Sequence, residues 1–219
     1  MGRRGLFLQQ ALKGAVLPTR RHRGDGSGSR PAVKTFSVLT TVAVTGLALL
    51  LGDIGDAAAD VPVGPGPTNY TEQPQPAPGS CQYRTAANGQ TLPDPTCTPG
   101  AISPKVTPDT LATTVCRTGY TKSIRPPAAI TNAEKRENAA AYGYTGQLKD
   151  VEYDHLVPLA LGGDPNDPRN LWIEPGQSPN SKDAVESRLH DLVCEGSVPL
   201  GAAQQAIATD WTTALDAVR

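Results

Sequence analysis

The sequence predicts an α+β protein, on three observations. Two β-prone segments, "VEYDHLVPLAL" and "NLWIE", are joined by "GGDPNDPR", a run of turn formers that suits a hairpin with a long connection. Helical patterns flank the hairpin on both sides, so strand, strand and helix pack as one small mixed unit. Four cysteines, Cys81, Cys97, Cys116 and Cys194, precede and follow it.

Taken in order, residues 1–59 carry eight Lys/Arg against Asp25, Asp53 and Asp56, a net of about +5. Within them "VKTFSVLTTVAVTGLALLL" places Lys34 before an apolar run at 36–51, and Ala57-Ala58-Ala59 offers a small-residue cleavage site before Asp60. That is the layout of a secretory signal, and the run is short for a membrane span. The expectation is a secreted or cell-envelope protein, with an uncleaved single-pass anchor as the alternative. The preamble 1–32 is long for such a signal, which suggests a translation start at Val33. "GRRGLF" resembles a twin-arginine signal but lies about 30 residues from the apolar run.

Residues 60–80 are Pro/Gly-rich and predict an extended, disordered linker. Residues 81–130 hold turn signals throughout, "NGQTLPDPTCTPG" and "RPP" among them, with a short helix near 108–115. They read as a loop-rich lead-in tied by disulfides. The main domain is expected over 131–219. Thr131 as N-cap with Glu134 three residues on, then an Ala-rich run closed by Gly143, predicts a capping-box helix. "NSKDAVESRLHDLVCEG" predicts another, capped by Asn180 or Ser181 and ended by Gly196, with Val185, Leu189, Leu192 and Val193 as its apolar face. A last helix should carry Ala203, Ile207, Trp211, Leu215 and Val218 on one side.

An even number of cysteines in an exported chain favours disulfides. Three pairings exist, and loop economy favours Cys81–Cys97 with Cys116–Cys194. The absence of C-x-x-C argues against a structural zinc site. Residues 60–219 carry twelve Lys/Arg against eighteen Asp/Glu, a net of −6. Such a domain has no overall attraction for nucleic acid. A phosphodiester substrate would need a local basic patch or a bound cation.

Asp154-His155 is the pair with chemical potential. Neighbours on a strand point to opposite faces, so the two serve one site only where the backbone bends at the strand end. There an imidazole could take a proton from water while the carboxylate holds a hard cation. In context, Asp154, His155, Pro158, Leu159, Gly162, Gly163, Asn170 and Leu171, followed by a lysine-bearing helix, resemble the HNH endonucleases, the ββα-metal nuclease group. His155 and Asn170 stand fifteen residues apart. "TPGAI…TTVCRTGYTKSIRPP", "SKDAVESRLHDLVC" and "AQQAIATDW" are similar to a family of exported bacterial HNH-like proteins, which extends the resemblance over about 97–212.

The resemblance implies a ββα-metal core and cleavage of DNA, or of RNA, by a monomer with no stable membrane association after signal cleavage. It implies His155 as general base, Asp154 as metal ligand and Asn170 as the residue that pins the loop and orients the histidine. The cation would be Mg²⁺ or Mn²⁺, with Zn²⁺ as a further option. HNH nucleases commonly complete the metal site with a His or Asn near the helix start. This chain has no histidine there, and Asn180 stands in its place as ligand or as a plain N-cap.

Lys182, Glu186 and His190 recur at fourfold spacing, so they share a helical face. Turned to the hairpin, Lys182 would meet a phosphate and His190 would add a second imidazole; turned outward, the three form a solvated stripe. Glu152 lies on the strand face of Asp154 and could orient a ligand. Arg117, Lys122 and Arg125 form the densest basic cluster and are the candidate phosphate contacts. The rival expectation is a catalytically silent HNH-like domain that binds a partner or the cell envelope.

Overall fold

The computed structural model describes residues 60–219. The signal-type segment, the Val33 start and the twin-arginine motif therefore lie outside the described residues. The architecture is α+β. A small hairpin, β1 (Arg84–Thr85) with β2 (Thr91–Leu92), precedes a short helix α1 (Tyr120–Ser123) and a long one, α2 (Ala128–Ala141). The central hairpin follows, β3 (Val151–His155) antiparallel to β4 (Leu171–Pro175), and then α3 (Ser181–Cys194), α4 (Leu200–Thr209) and α5 (Ala214–Ala217). The 108–115 expectation is met by a 3₁₀ helix at Pro108–Thr113.

Helix α2 starts four residues earlier than its sequence suggests. Pro127 holds the N-cap place, where a fixed φ and a missing N–H cost nothing, and Ala128-Ala129 extend the helix back to it. Thr131 is thus interior, its hydroxyl donating to the Ala128 carbonyl at 3.5 Å. Glu134 turns inward and is fully buried. The glycine stop holds: Gly143, at φ 63°, donates to Ala140 O while Tyr144 donates to Ala139 O, a Schellman ending. Asn138 joins α2 to β4. Its Oδ1 accepts from Ile173 N at 2.9 Å and its Nδ2 reaches Leu171 O at 3.4 Å.

The central hairpin pairs Glu152 with Glu174, Asp154 with Trp172 and His155 with Leu171. Its connection folds back on the strand end, and the double glycine explains how. A Cβ on Gly163 would lie 1.7 Å from the Val157 carbonyl oxygen, and one on Gly162, at φ 77°, would lie 2.6 Å from Val106. Asn180 caps α3, accepting from Lys182 N at 2.8 Å while its own N–H donates to Asp183 Oδ2 at 2.7 Å.

The last helix is broken. Asp210 accepts from Thr212 N and Thr212 Oγ1, a local turn that competes with helix and separates α4 from α5. Ala203, Ile207 and Trp211 are buried nonetheless, in the main core with Val157, Leu161 and Leu189. The second core cluster holds Cys81, Tyr142, Leu156 and Trp172.

Both disulfides form as loop economy favours, Cys81–Cys97 and Cys116–Cys194. Such bonds persist in oxidising, extracytoplasmic surroundings. Among the described residues, no helix is long and apolar enough to cross a membrane.

Residues 60–80 differ from the linker their composition suggests. They run as an extended strap along the domain. Gly64 N donates to Ile102 O, Gly66 N to Asp164 Oδ2, Gln73 N to Glu134 Oε1 and Gly79 N to Ala140 O. Pro and Gly suppress regular structure, but these backbone donors are satisfied by side chains and carbonyls far along the sequence.

Candidate functional site

The strand end places Asp154 and His155 on opposite sides of β3, and both still line one small cavity at that end. Asp154 shares its face with Glu152 and with Glu174 across the strand pair, and α3 lays Lys182 and Glu186 against that face. His155 turns the other way, toward the connecting loop.

His155 is almost fully buried, and its Nε2 lies 3.0 Å from the Pro165 carbonyl oxygen. A carbonyl only accepts, so Nε2 carries the hydrogen and Nδ1 keeps its lone pair. Burial pushes the imidazole pKa down to about 4, against the Pro165 bond and Asp154, which pull it up. The ring is therefore neutral at pH 7, with a free basic nitrogen.

Asn170 holds the loop that carries Pro165. Its Nδ2 donates to Val157 O and Asp164 O, both at 3.0 Å, and its Oδ1 accepts from Val157 N at 2.9 Å and Ala101 N at 3.3 Å. All four hydrogen-bonding positions of the amide are used in a side chain with no exposure.

Lys182 is 1% exposed, and its ammonium meets three acceptors: Asp154 Oδ2 at 2.7 Å, His155 O at 2.9 Å and Glu186 Oε1. Three donors on three acceptors leave nothing for a phosphate. The phosphate contact suggested by its helical spacing is thus not how Lys182 is placed; it binds the Asp-His pair from behind. Burial works against this charge, but Asp154, Glu186 and Glu174 outweigh it and hold the pKa above that of an ordinary lysine.

The stripe divides beyond Glu186. His190 Nε2 lies 3.1 Å from Val115 O, in a recess with Arg117, away from His155. It secures the lead-in beside the Cys116–Cys194 bond and supplies no second imidazole to the site.

The basic cluster divides too. Arg117 donates to Thr113 O and lies over the Tyr120 ring at 5.8 Å, and Lys122 is exposed on α1. Arg125 alone reaches the site. It has no hydrogen-bond or ion-pair partner among the described residues, and it lines a groove of about 420 Å³ that His155, Glu152, Asn132, Lys135 and Gln177 also line.

Asn180 is committed to the helix cap, its Oδ1 taken by two backbone N–H groups, and so does not serve as a cation ligand. Among the described residues, no three His, Cys, Asp or Glu side chains form a metal cage. A smaller arrangement exists. Asp154, Glu152 and Glu186 line a polar cavity of about 100 Å³ beside His155, and Glu152 Oε2 is buried without a partner. Oxygen donors with room for water suit Mg²⁺ or Mn²⁺, which bind through one or two carboxylates, and suit Zn²⁺ less. A hard divalent ion bound there would be held by Asp154 with Glu152 or Glu186.

Sequence reasoning missed Glu174 and Asp164. Burial, then Asp154, pushes the Glu174 carboxyl up; burial, then Asp154 and Asp183, does the same to Glu152. The site holds more carboxyls than Lys182 can neutralise. Only the strand register reveals the Glu152–Glu174 pairing. Asp164 sits in the D-P-x-D turn signal, the one cue to its role in the loop.

Comparison of the chain with protein-family models, curated proteins and solved structures gave no match.

Proposed function

We propose that the protein is an exported HNH-type endonuclease that hydrolyses phosphodiester bonds, of DNA ahead of RNA, on a ββα unit made by β3, β4 and α3. One observation carries this reading. His155 is a neutral imidazole pinned through Nε2, and it lines a groove that Arg125, a cation without a hydrogen-bond or ion-pair partner among the described residues, also lines.

The residues divide the work as follows. Arg125 binds a non-bridging phosphate oxygen and offsets the acidic surroundings. His155 Nδ1 takes a proton from water as the water oxygen forms its bond to phosphorus. The bond from phosphorus to the 3′-oxygen breaks, and solvent returns a proton to that oxygen. Asn170 keeps the loop, and through it the imidazole, in position. Lys182 holds the Asp154 carboxylate and the His155 carbonyl at fixed separation. A divalent cation bound at Asp154 would supply positive charge beside the scissile phosphate.

The purified protein should nick plasmid DNA in the presence of Mg²⁺ or Mn²⁺. His155→Ala should lower the rate about 10²- to 10⁴-fold with the fold intact; equal activity in that variant would refute the assignment. A second reading, a silent binding domain on the same scaffold, draws on the Lys182–Asp154 ion pair, which already occupies one carboxylate oxygen. It predicts neither nicking nor binding of Mg²⁺ or Mn²⁺ by calorimetry.

A further inference from the structure

The Nε2 partner of His155 is itself held from outside. Loop 164–167 carries the Pro165 carbonyl and lies between two sets of ties. On the inner side, Asn170 Nδ2 donates to Asp164 O. On the outer side are two bonds from the strap: Gly66 N donates to Asp164 Oδ2 at 2.6 Å, and Asn166 Nδ2 donates to Thr71 O at 2.8 Å. Asp164 Oδ1 meanwhile accepts from Asn166 N at 3.0 Å and Asp167 N at 2.9 Å. One buried carboxylate thus folds the loop with one oxygen and fastens it to the strap with the other. The packing is close: a Cβ on Gly64 would lie 2.4 Å from Asp164 Oδ2.

The strap also ties the segments that build one wall of the groove. The Tyr70 hydroxyl donates to the carbonyl of Ile124, the residue before Arg125, and Gln73 N donates to Glu134 Oε1 on α2 at 2.8 Å. No residue of 60–80 lines the groove. The strap therefore does not obstruct a ligand; it ties the loop behind His155 and the segment that carries Arg125 and α2 without entering the groove.

We propose that residues 64–73 form a positioning strap, received by Asp164 and Asn166, which holds the Pro165 carbonyl where it fixes the His155 imidazole as its Nε2–H tautomer. Its bearing on catalysis rests on the general-base reading of His155; the positioning itself does not. Asp164 and Asn166 are positioning residues that act on the imidazole through the Pro165 carbonyl. Without the strap, the loop keeps its turn and its Asn170 bonds but loses its outer ties. The imidazole then samples both tautomers, and half-correct orientation slows the proton transfer without weakening ligand binding.

Asp164→Asn separates the two duties of that carboxylate. Its amide oxygen still closes the turn, while its amide nitrogen faces the Gly66 N–H and cannot accept from it. In the full chain, which has three histidines, ¹⁵N NMR at neutral pH reads the tautomer of each ring. The parent should show His155 as a single Nε2–H form. Asp164→Asn should show both forms, with kcat on an oligonucleotide lowered about 10- to 100-fold and KM nearly unchanged. A pure Nε2–H signal in the folded variant overturns the proposal. If Asp164→Asn does not fold, Asn166→Ala, which removes the Thr71 bond and leaves the Asp164 bonds in place, is read in the same way and an unchanged tautomer is equally decisive. If neither parent nor variant cleaves nucleic acid, the nuclease reading fails while the tautomer still decides on the strap.

Discussion

The Lys182 ammonium lies 2.7 Å from Asp154 Oδ2 and 2.9 Å from the carbonyl oxygen of His155, the next residue. A single buried cation thereby fixes the side chain of one candidate site residue and the backbone of the other. The Trp172 indole donates to the same Asp154 oxygen at 3.2 Å, so that oxygen is fully engaged and Oδ1 is the one left for other partners.

Removing this cation should be costly. Lys182→Met leaves the largely buried Asp154 and Glu186 without their counter-charge, and breaking a buried pair in this way costs about 3–5 kcal/mol. Urea unfolding of parent and variant measures it. A loss below about 1 kcal/mol would mean that water solvates these carboxylates and that the pair behaves as a surface one.

Cation binding should separate the two ligands that the resemblance implies. Asp154→Asn is expected to abolish the calorimetric signal for Mg²⁺ or Mn²⁺. Asn180→Ala should leave it in place and instead cost about 1 kcal/mol of stability through the lost cap. Loss of cation binding in the alanine variant would return Asn180 to the ligand set.

Glu134 sets a pH dependence of folding. Burial is the main cause that lifts its carboxyl from 4.5 to about 7. The folded chain holds that proton more tightly than the unfolded chain, so this group's contribution to stability falls as pH rises between those values and reaches its full penalty above the upper one. Glu134→Gln keeps an acceptor for Gln73 N and cannot ionise. It should be more stable than the parent at pH 8 by on the order of 3 kcal/mol and about equal at pH 4. Thermal melts across this range would expose an error of sign at once.

The two disulfides should differ in worth. Cys116–Cys194 spans 78 residues and Cys81–Cys97 spans 16. In the loop-entropy account the longer closure stabilises more, by about 1.4 kcal/mol. Paired Cys→Ser variants, compared by guanidinium unfolding, should follow that order.

The central hairpin, the Asn180 cap and the Gly143 stop were legible because each is written in a few adjacent residues. Asn170 was legible as a residue but not as four bonds, since Ala101 and Val157 reach it only after the loop closes. The capping-box reading of Thr131 failed because two prolines and two alanines start the helix earlier. The strap was the largest miss. Its composition is that of a linker, and what orders it are Asp164, Glu134 and Asn166, placed 61 to 98 residues away. Glu174 was hidden for a related reason, as "NLWIE" gives no sign that its glutamate will face Glu152.

A two-stranded sheet normally offers a free edge on which another chain can lay a strand. Here the outward groups of β4 are already spoken for: Asn138 occupies Ile173 N and Leu171 O, and the Tyr83 hydroxyl donates to Ile173 O at 2.9 Å. Two side chains thus imitate a third strand. The hairpin can neither recruit a neighbouring copy through β4 nor seed stacking by that edge, which leaves the β3 side, with its groove and its carboxylate cavity, as the side that meets other molecules.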